Sequence, residues 1–560
     1  MNFWVVPHVT NNNTEGSLGG WRCVHTPEHY NGKSGNVNKE DLILPSKATI
    51  LNKIRWALFE KKVLKQQSNT LESDAFLPDA GTKKGTQQSA AFEDNDVSPS
   101  PSDISRFARS QFPYFTQQTP PIFFENAGGA QVPQSVIDCM SSSLQCRHRS
   151  VIGSQTKAAA RETIKVLTGA TERGSVVFGP NASGLLSSLA QNYLQYDLLS
   201  ADDEVVLSTE NHKANFFPWI EAAAAVGARV KLWSPRLSKK PKEATSSDLP
   251  DLEQNSNLQV LITPNTRLVA IPHASNVLGA VLPIKKLTDM IKRQSKGHAH
   301  VVVDGVAAAP HLFTDFEKAL GNVDWYAMSM HKLFGPHIGV LLGRTGGAMD
   351  SFAAAARQSL PGMIDDDESL LSIMEKGTVN IEGCAGIVGL GTYFQCLSNL
   401  ASRPENDPSA STAAPAACCT GEGARTSASS QISTTLSLKE AKNAYLMIRK
   451  VEDHLLNAVA QQFDRYPRVR ILKSIQFNES QTLQLPTVSF LHSDLSSHEI
   501  VEECSKNGIT CRSGSFLSTP FLFRDFEVDR RDGVVRISLA HYNTEEEVRH
   551  LFQVLESIPG

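Results

Sequence analysis

The 560-residue chain has few of the features that mark secreted, membrane or nucleic-acid-binding proteins. Its nine cysteines are odd in number and form no C-x-x-C pair, so neither a disulfide framework nor a metal site is expected. No apolar run approaches the roughly 20 residues that cross a bilayer, and a signal peptide is not expected. The net charge of −4, without long runs of one sign, argues against nucleic acid as a partner. A cytoplasmic location is expected, with an organelle as the open alternative.

The composition divides the chain into three parts. Residues 1–104 are rich in Asn, Ser, Thr, Gly, Lys and Gln and are predicted to be disordered, apart from a helical pattern at 50–67. Residues 105–375 alternate helical patterns with the β-branched runs SVVF, EVVLST, RLVAIP, HVVVDG, WYAMS and GVLLG, which predicts βαβ units and a parallel sheet. Residues 376–560 predict a smaller α+β domain. A tract of Ala, Ser, Thr and Pro at 400–436 predicts a disordered insertion within it.

Polar residues follow several of these apolar runs. Ligands of an open parallel sheet bind beyond the carboxyl ends of its strands, so these positions are candidates for a site. Asn181 and Ser183 precede a helix, where they could hold an anion or simply cap the helix. His212 could pack or take part in chemistry. Asp304 ends a buried run and needs a cation or a strong donor, whereas Lys332 either reaches water or has a covalent or ionic partner.

One ligand would satisfy all these groups together. Pyridoxal 5'-phosphate carries a phosphate, an aromatic ring, a protonated ring nitrogen and an aldehyde, and proteins usually supply it with a Schiff-base lysine and an acidic partner. Asp304 precedes Lys332 by 28 residues, which is room for one crossover between adjacent strands. The spacing therefore agrees with a pyridoxal-phosphate site.

Seven segments, in this order, give the chain a family resemblance. It resembles the class V aminotransferase family of pyridoxal-phosphate enzymes, and within it the cysteine desulfurase-like branch, over about residues 105–556 apart from the insertion. The segments are FFENAGGAQVPQSVI, TENHKANFFPW, HASNVLGAVLPI, VVVDGVAAAPH, SMHKLFGPHIGVLLGR, EKGTVNIEG and VRISLAHYNTEEEV. The resemblance implies an α/β fold of the aspartate aminotransferase type (fold type I), with a mostly parallel seven-stranded sheet in the large domain. It also implies a homodimer with active sites at the subunit interface.

The resemblance also implies residue roles. Lys332 would hold the cofactor as an internal aldimine, Asp304 would bind the pyridinium nitrogen, and His212 would stack on the ring and move protons. Arg536 would bind the substrate carboxylate. Arg512 would be a second substrate-side arginine, with a structural ion pair as the alternative. The other cofactor-binding positions are Asn181, Ala182, Ser183, Ser329 and His331 at the phosphate, Asn276 near the phenolic oxygen, and Thr378 at the phosphate of the neighbouring subunit.

Two positions depart from the desulfurase pattern. Ala307 stands where a glutamine usually bonds the ring oxygen. Leu517 stands where the nucleophilic cysteine is expected, and Cys511, just before Arg512, would point to the opposite side of its strand. The predicted function is therefore a pyridoxal-phosphate transferase or lyase acting on an amino acid, desulfurase-like but without the loop thiol. The alternatives are a β-lyase, a racemase or an epimerase, and, from another class, a non-catalytic scaffold.

Overall fold

The computed structural model describes most of the chain beyond its first hundred residues. The described residues are 99–146, 151–235, 253–255, 257–400, 436–472 and 483–558. They belong to one compact unit, Ser89–Gly560. The predicted helix at 50–67 lies outside the described residues, as do nearly all of the predicted N-terminal disorder and of the predicted insertion. The predicted division into a large and a small domain stays a prediction.

The first described helix begins earlier than the sequence boundary at residue 105 suggested. Helix α1 spans Pro101–Gln111, and the Ser100 hydroxyl accepts a hydrogen bond from the Asp103 N–H at 3.2 Å. Ile104 on this helix is fully buried. The Ser-Pro-Ser sequence resembles a loop, but serine as the N-cap followed by proline in the first turn is also a strong helix start. Helix α1 therefore includes residues 101–104, the last four residues of the part predicted to be disordered.

Strands and helices alternate through most of the described residues. The strands are β1 (Ile122–Phe123), β2 (Gly174–Gly179), β3 (Glu204–Ser208), β4 (Arg229–Trp233), β5 (Glu253–Asn255), β6 (Thr266–Pro272), β7 (His300–Asp304), β8 (Trp325–Ser329), β9 (Gly339–Arg344), β10 (Val469–Ile471), β11 (Thr487–His492), β12 (Ile509–Thr510), β13 (Arg512–Gly514) and β14 (Val534–Ser538). The further α-helices are α2 (Gln134–Gln145), α3 (Val151–Thr168), α4 (Ala182–Gln195), α5 (Phe217–Val226), α6 (Leu258–Leu261), α7 (Ile284–Gln294), α8 (Ala348–Ser359), α9 (Asp367–Glu375), α10 (Ile381–Leu400), α11 (Leu438–Phe463), α12 (Ser497–Lys506), α13 (Pro520–Asp525) and α14 (Glu545–Ser557).

The main sheet has eight strands in the order β2-β9-β8-β7-β6-β3-β4-β5. All neighbours are parallel except β9, which is antiparallel to both β2 and β8. Only residues 330–338 separate β8 from β9, which is too few for the crossover that a parallel pair needs. The predicted α/β fold with a mostly parallel sheet is confirmed. The eighth strand is the three-residue edge strand β5.

Side chains of the main sheet alternate between two apolar layers. Val301 and Val303 of β7 belong to one buried cluster, and Val302 between them belongs to the other. Helices cover both faces, so the strands are buried on both sides and appear in the sequence as continuous apolar runs. Because helices cover both faces of the main sheet, polar side chains can come together only at the ends of its strands.

A second, antiparallel sheet approaches these ends from the C-terminal part of the chain. Its order is β10-β11-β14-β13, and β13 pairs with β14 so that Arg512 lies opposite Arg536. Strands β1 and β12 form a separate parallel pair. No described helix is both long and apolar enough to span a membrane.

Candidate active site

A cavity of about 280 Å³ lies at the carboxyl ends of the parallel strands, between the main sheet and the antiparallel sheet. It is lined by every predicted site residue except Thr378, namely Asn181, Ala182, Ser183, His212, Asn276, Asp304, Ser329, His331, Lys332, Arg512 and Arg536. Thr378 is exposed shortly after α9, and its contact with a neighbouring subunit stays a prediction. Residues distant in sequence thus share one cavity.

Lys332 follows β8 in a tight turn, in which its backbone N–H donates to the Ser329 carbonyl at 3.1 Å. Removal from water lowers the pKa of its amine to about 8, and the positive charge of Arg536 acts in the same direction while Asp304 opposes it. Among the described residues, no hydrogen bond or ion pair engages the Lys332 Nζ. A lowered pKa raises the share of neutral amine, which is the nucleophilic form.

Asp304 ends β7 and is only 7 % exposed. One carboxylate oxygen accepts a hydrogen bond from the Val306 N–H at 3.0 Å. Burial raises the pKa of this carboxyl, against the opposing effects of that hydrogen bond and of the Lys332 charge. No cation of the described chain lies within 4.0 Å of it. A protonated ring nitrogen would supply the missing positive partner.

His212 begins the short 3-10 turn Lys213–Asn215 that follows β3. Its Nδ1 accepts a hydrogen bond from the Ala214 N–H at 3.1 Å, so the neutral ring carries its hydrogen on Nε2. Burial lowers the pKa of His212 to about 4, and the charges of Lys332, Lys213 and Arg536 act in the same direction. The imidazole is therefore neutral at physiological pH and can lie on an aromatic ring without adding charge.

The predicted phosphate site lies at the N-terminus of α4. The Asn181 side chain accepts a hydrogen bond from the Gly184 N–H at 2.7 Å, so Asn181 caps the helix and lines the cavity at once. The Ser329 hydroxyl lies 2.8 Å from Nδ1 of His331. The N–H groups at the start of a helix favour an anion. A Cβ at Gly339 on β9 would lie 2.3 Å from the Asn181 carbonyl carbon, so only glycine permits this approach.

The two arginines differ in environment. Arg536 is 3 % exposed, and its Nη1 donates to the Asn276 carbonyl at 2.9 Å. Burial lowers the pKa of its guanidinium to about 9, so it stays charged at neutral pH, yet no described carboxylate lies within 4.0 Å. The Arg512 side chain is 62 % exposed and lies 3.2 Å from Glu125. The ion pair considered as the alternative for Arg512 is thus formed, and of these two arginines only Arg536 lacks an anionic partner among the described residues.

Glu210 and Phe516 also line the cavity, and neither was predicted as a site residue. Glu210 is 2 % exposed and precedes His212 by two positions. Like Asp304, Glu210 lies at the carboxyl end of a strand of the parallel sheet, where ligands bind, so the same reasoning applies to it. Phe516 lies in a turn of the antiparallel sheet region, and its carbonyl accepts a hydrogen bond from Nδ2 of Asn276 at 2.9 Å. No pattern in the sequence marks Phe516, because its contact depends on tertiary packing.

The sequence relationships agree with this geometry. Residues 122–414 and 429–551 match the family model for Aminotransferase class-V. The chain belongs to the class V aminotransferase family. It is 29% identical over 464 residues to the Aminotransferase-like protein FGM3 of Gibberella zeae, covering 80% of this chain and 97% of that protein. It is 25% identical over 465 residues to a probable cysteine desulfurase of Haemophilus influenzae, covering 81% of this chain and 89% of that one.

A solved structure shows the same fold. The cysteine desulfurase CsdA of Escherichia coli, in its S-sulfonic acid form, aligns with a TM-score of 0.56 at 22% identity, over 81% of this chain and 97% of that chain. Together with the sequence relatives, this places the class V chain in the cysteine desulfurase-like branch. The predicted family is confirmed.

The cofactor of this class V chain is pyridoxal 5'-phosphate, and the cavity fits it. Lys332, Asp304 and Arg536 face one cavity, and none of them has an oppositely charged group within 4.0 Å in the described part of the chain. Burying charge without a partner is costly unless a ligand supplies one. The aldehyde of the cofactor would bond the Lys332 amine, and a protonated ring nitrogen and a substrate carboxylate would supply the opposite charges for Asp304 and Arg536.

Proposed function

We propose that this class V chain is an enzyme that acts on an α-amino acid, with Lys332 as the residue that bonds the cofactor. The observation that carries the proposal is the set of three charged groups, Lys332, Asp304 and Arg536, around one cavity. Arg536 would bind the substrate carboxylate, and Asp304 would keep the ring nitrogen protonated. When bound, pyridoxal 5'-phosphate supplies an electron sink for a substrate that has lost its α-proton.

Lys332 is the residue best suited to move that proton. Its lowered pKa leaves part of its amine neutral near physiological pH, so it can accept a proton once it is free of the cofactor. The Nδ1 of His212 is engaged by the Ala214 N–H, so this ring has no free acceptor in its neutral form. His212 would therefore cover the ring while Lys332 acts as the base.

The reaction we propose is removal of the α-proton, followed by loss of a β-substituent or by return of the proton. Leu517 offers no thiol to take up sulfur. Cys511 is buried, and its interaction with Cys504, together with burial, raises the pKa of its thiol, so it is not a substitute nucleophile. A β-lyase, racemase or epimerase activity therefore agrees better with the residues than transfer of sulfur to this loop.

The cofactor assignment is tested with Lys332→Ala. The absorbance band that the purified wild-type protein owes to the bond between Lys332 and the cofactor is expected to be lost in this variant, because the amine that forms this bond is removed. Lys285→Ala, at a surface lysine 54 % exposed, is the matched control and should keep the wild-type spectrum. A wild-type spectrum in Lys332→Ala would refute the role of Lys332.

The reaction class is tested with a panel of amino acids that includes L-cysteine. Formation of pyruvate, ammonia and sulfide from L-cysteine would indicate β-elimination, whereas formation of alanine would indicate desulfuration. Inversion of configuration without a new product would indicate a racemase or an epimerase. Absence of turnover across the panel would favour the non-catalytic scaffold and count against the proposed enzyme.

A further inference from the structure

The turn Ser515–Ser518 has an unusual backbone. Phe516 and Leu517 have φ angles of 51° and 54°, so two consecutive residues with large side chains adopt the left-handed conformation. Bulky residues rarely adopt it, because Cβ then approaches the following carbonyl oxygen. Such strain persists only where the surroundings hold the backbone in place, and it is concentrated at functional sites.

Residues of the candidate active site hold this turn. The backbone N–H of Lys213, the residue after His212 in the sequence, donates a hydrogen bond to the Leu517 carbonyl at 2.8 Å. Asn276 binds the turn twice, since its Nδ2 donates to the Phe516 carbonyl at 2.9 Å and its Oδ1 accepts from the Ser518 hydroxyl at 3.2 Å. The strained conformation is therefore tied to the cavity wall rather than to the surface.

The turn places the Phe516 ring against Arg536. The guanidinium carbon lies 3.9 Å from the ring centroid, within the range of a cation–π contact. On another side, Nη1 of Arg536 donates to the Asn276 carbonyl at 2.9 Å. One residue, Asn276, thus fixes both the turn and the arginine. No other hydrogen bond engages this guanidinium in the described part of the chain, so its remaining N–H groups can bind a ligand in the cavity.

We propose that Phe516 is a positioning residue that orients Arg536 for the carboxylate of the substrate. The inference rests on the proposed function, in which Arg536 binds that carboxylate. The ring covers one face of the guanidinium and keeps its plane fixed, so a carboxylate meets donors that are already oriented. The strained turn brings the ring over Arg536 while the Phe516 carbonyl faces Asn276.

Two small reagents test this orientation without knowledge of the natural substrate. Aminooxyacetate and O-methylhydroxylamine both react with the aldehyde of the cofactor and change its absorbance, but only the first carries a carboxylate. The ratio of their second-order rate constants on the holoenzyme therefore measures recognition of a carboxylate at the site. A change that merely loosens the fold would alter both rates together and leave the ratio unchanged.

The ratio is compared among wild type and variants of Phe516. In Phe516→Ala it is expected to fall by about tenfold, which lies between the values for an exposed and a desolvated cation–π contact, because the ring is only partly buried. Phe516→Tyr keeps an aromatic face and should retain the wild-type ratio. Phe516→Gly removes the ring and the backbone strain together, so it should lower the ratio while melting at a higher temperature than Phe516→Ala. Arg536→Met sets the ratio expected when the carboxylate site is lost.

The outcomes separate this inference from the proposed function. A wild-type ratio in Phe516→Ala, or an equal fall in Phe516→Tyr and Phe516→Ala, would overturn the role of Phe516 and leave the proposed function standing. A ratio unchanged in Arg536→Met would instead overturn Arg536 as the carboxylate site, and with it both proposals. If neither reagent changed the absorbance of the wild-type protein, the cofactor assignment itself would be wrong.

Discussion

The amine of Lys332 should have an unusually low pKa in the apoprotein. Removal from water and the neighbouring Arg536 lower its pKa from 10.5 to about 8. Since one pKa unit corresponds to about 1.4 kcal/mol, the cavity favours the neutral amine by about 3 kcal/mol. At pH 7 the neutral fraction is then roughly 300-fold larger than for a lysine in water. Most of this effect comes from burial, and the two charged neighbours modify it in opposite directions.

The neighbours supply the decisive variants. Arg536→Met removes a positive charge and should raise the pKa of Lys332, whereas Asp304→Asn removes a negative charge and should lower it further. The measurement is competitive acetylation of the apoprotein at a series of pH values, after the cofactor has been removed with hydroxylamine. Mass spectrometry then compares the Lys332 peptide with peptides of surface lysines from the same digest.

Lys332 should show a labelling midpoint near pH 8 in the wild-type protein. A midpoint close to 10.5 would refute the inference that the cavity desolvates the amine. If Arg536→Met and Asp304→Asn moved the midpoint in the same direction, the electrostatic roles assigned to these two residues would be wrong even with a low wild-type value. The test does not depend on the substrate, because it uses the protein alone.

Two further predictions concern buried groups and close packing. Burial lowers the pKa of His273 from 6.5 to about 4, so the unfolded state binds more protons between these pH values. The free energy of unfolding should therefore fall by up to about 3 kcal/mol as the pH drops through this window. Urea unfolding at pH 7 and pH 5 should show a smaller drop in His273→Gln than in the wild type, and identical drops would contradict the assignment. Gly339→Ala should lower the free energy of unfolding by about 1–3 kcal/mol and weaken cofactor binding, because the new Cβ would meet the Asn181 backbone. Gly184→Ala is the control, since a Cβ there finds only ordinary contacts of 3.4 Å or more. Equal effects of the two substitutions would refute the packing argument.

The central strands could be predicted because burial on both faces produces continuous apolar runs. Strand β4, RVKLW, was missed because charged residues alternate with its apolar ones. Its Lys231 is only 4 % exposed, but Nζ lies 3.0 Å from Glu204, which offsets the cost of burying the amine. Edge strand β5 has three residues of the sequence EQN, and such a strand carries no apolar signal at all.

The candidate site was predictable to the extent that it depends on strand ends. Asn181, His212, Asp304 and Lys332 each follow an apolar run, and the topology of a parallel sheet brings such positions to one edge. Arg536 lies on a strand of the antiparallel sheet, and its place in the cavity depends on how two sheets pack. Only the family resemblance, and no local pattern, indicated it.

This division between the two sheets has a consequence for function. The groups that would hold the cofactor come from the main sheet, whose geometry follows from burial and topology. The groups that would decide what happens to the substrate, Arg536, Phe516 and Leu517, come from the antiparallel sheet and its strained turn. The side chains of Phe516 and Leu517 can change without disturbing the strand ends, because the hydrogen bonds of these two residues to Asn276 and Lys213 use backbone carbonyls. A fold that retains one cofactor can therefore change its reaction at Leu517 and Phe516, which is why these residues carry more information about the reaction than Lys332 does.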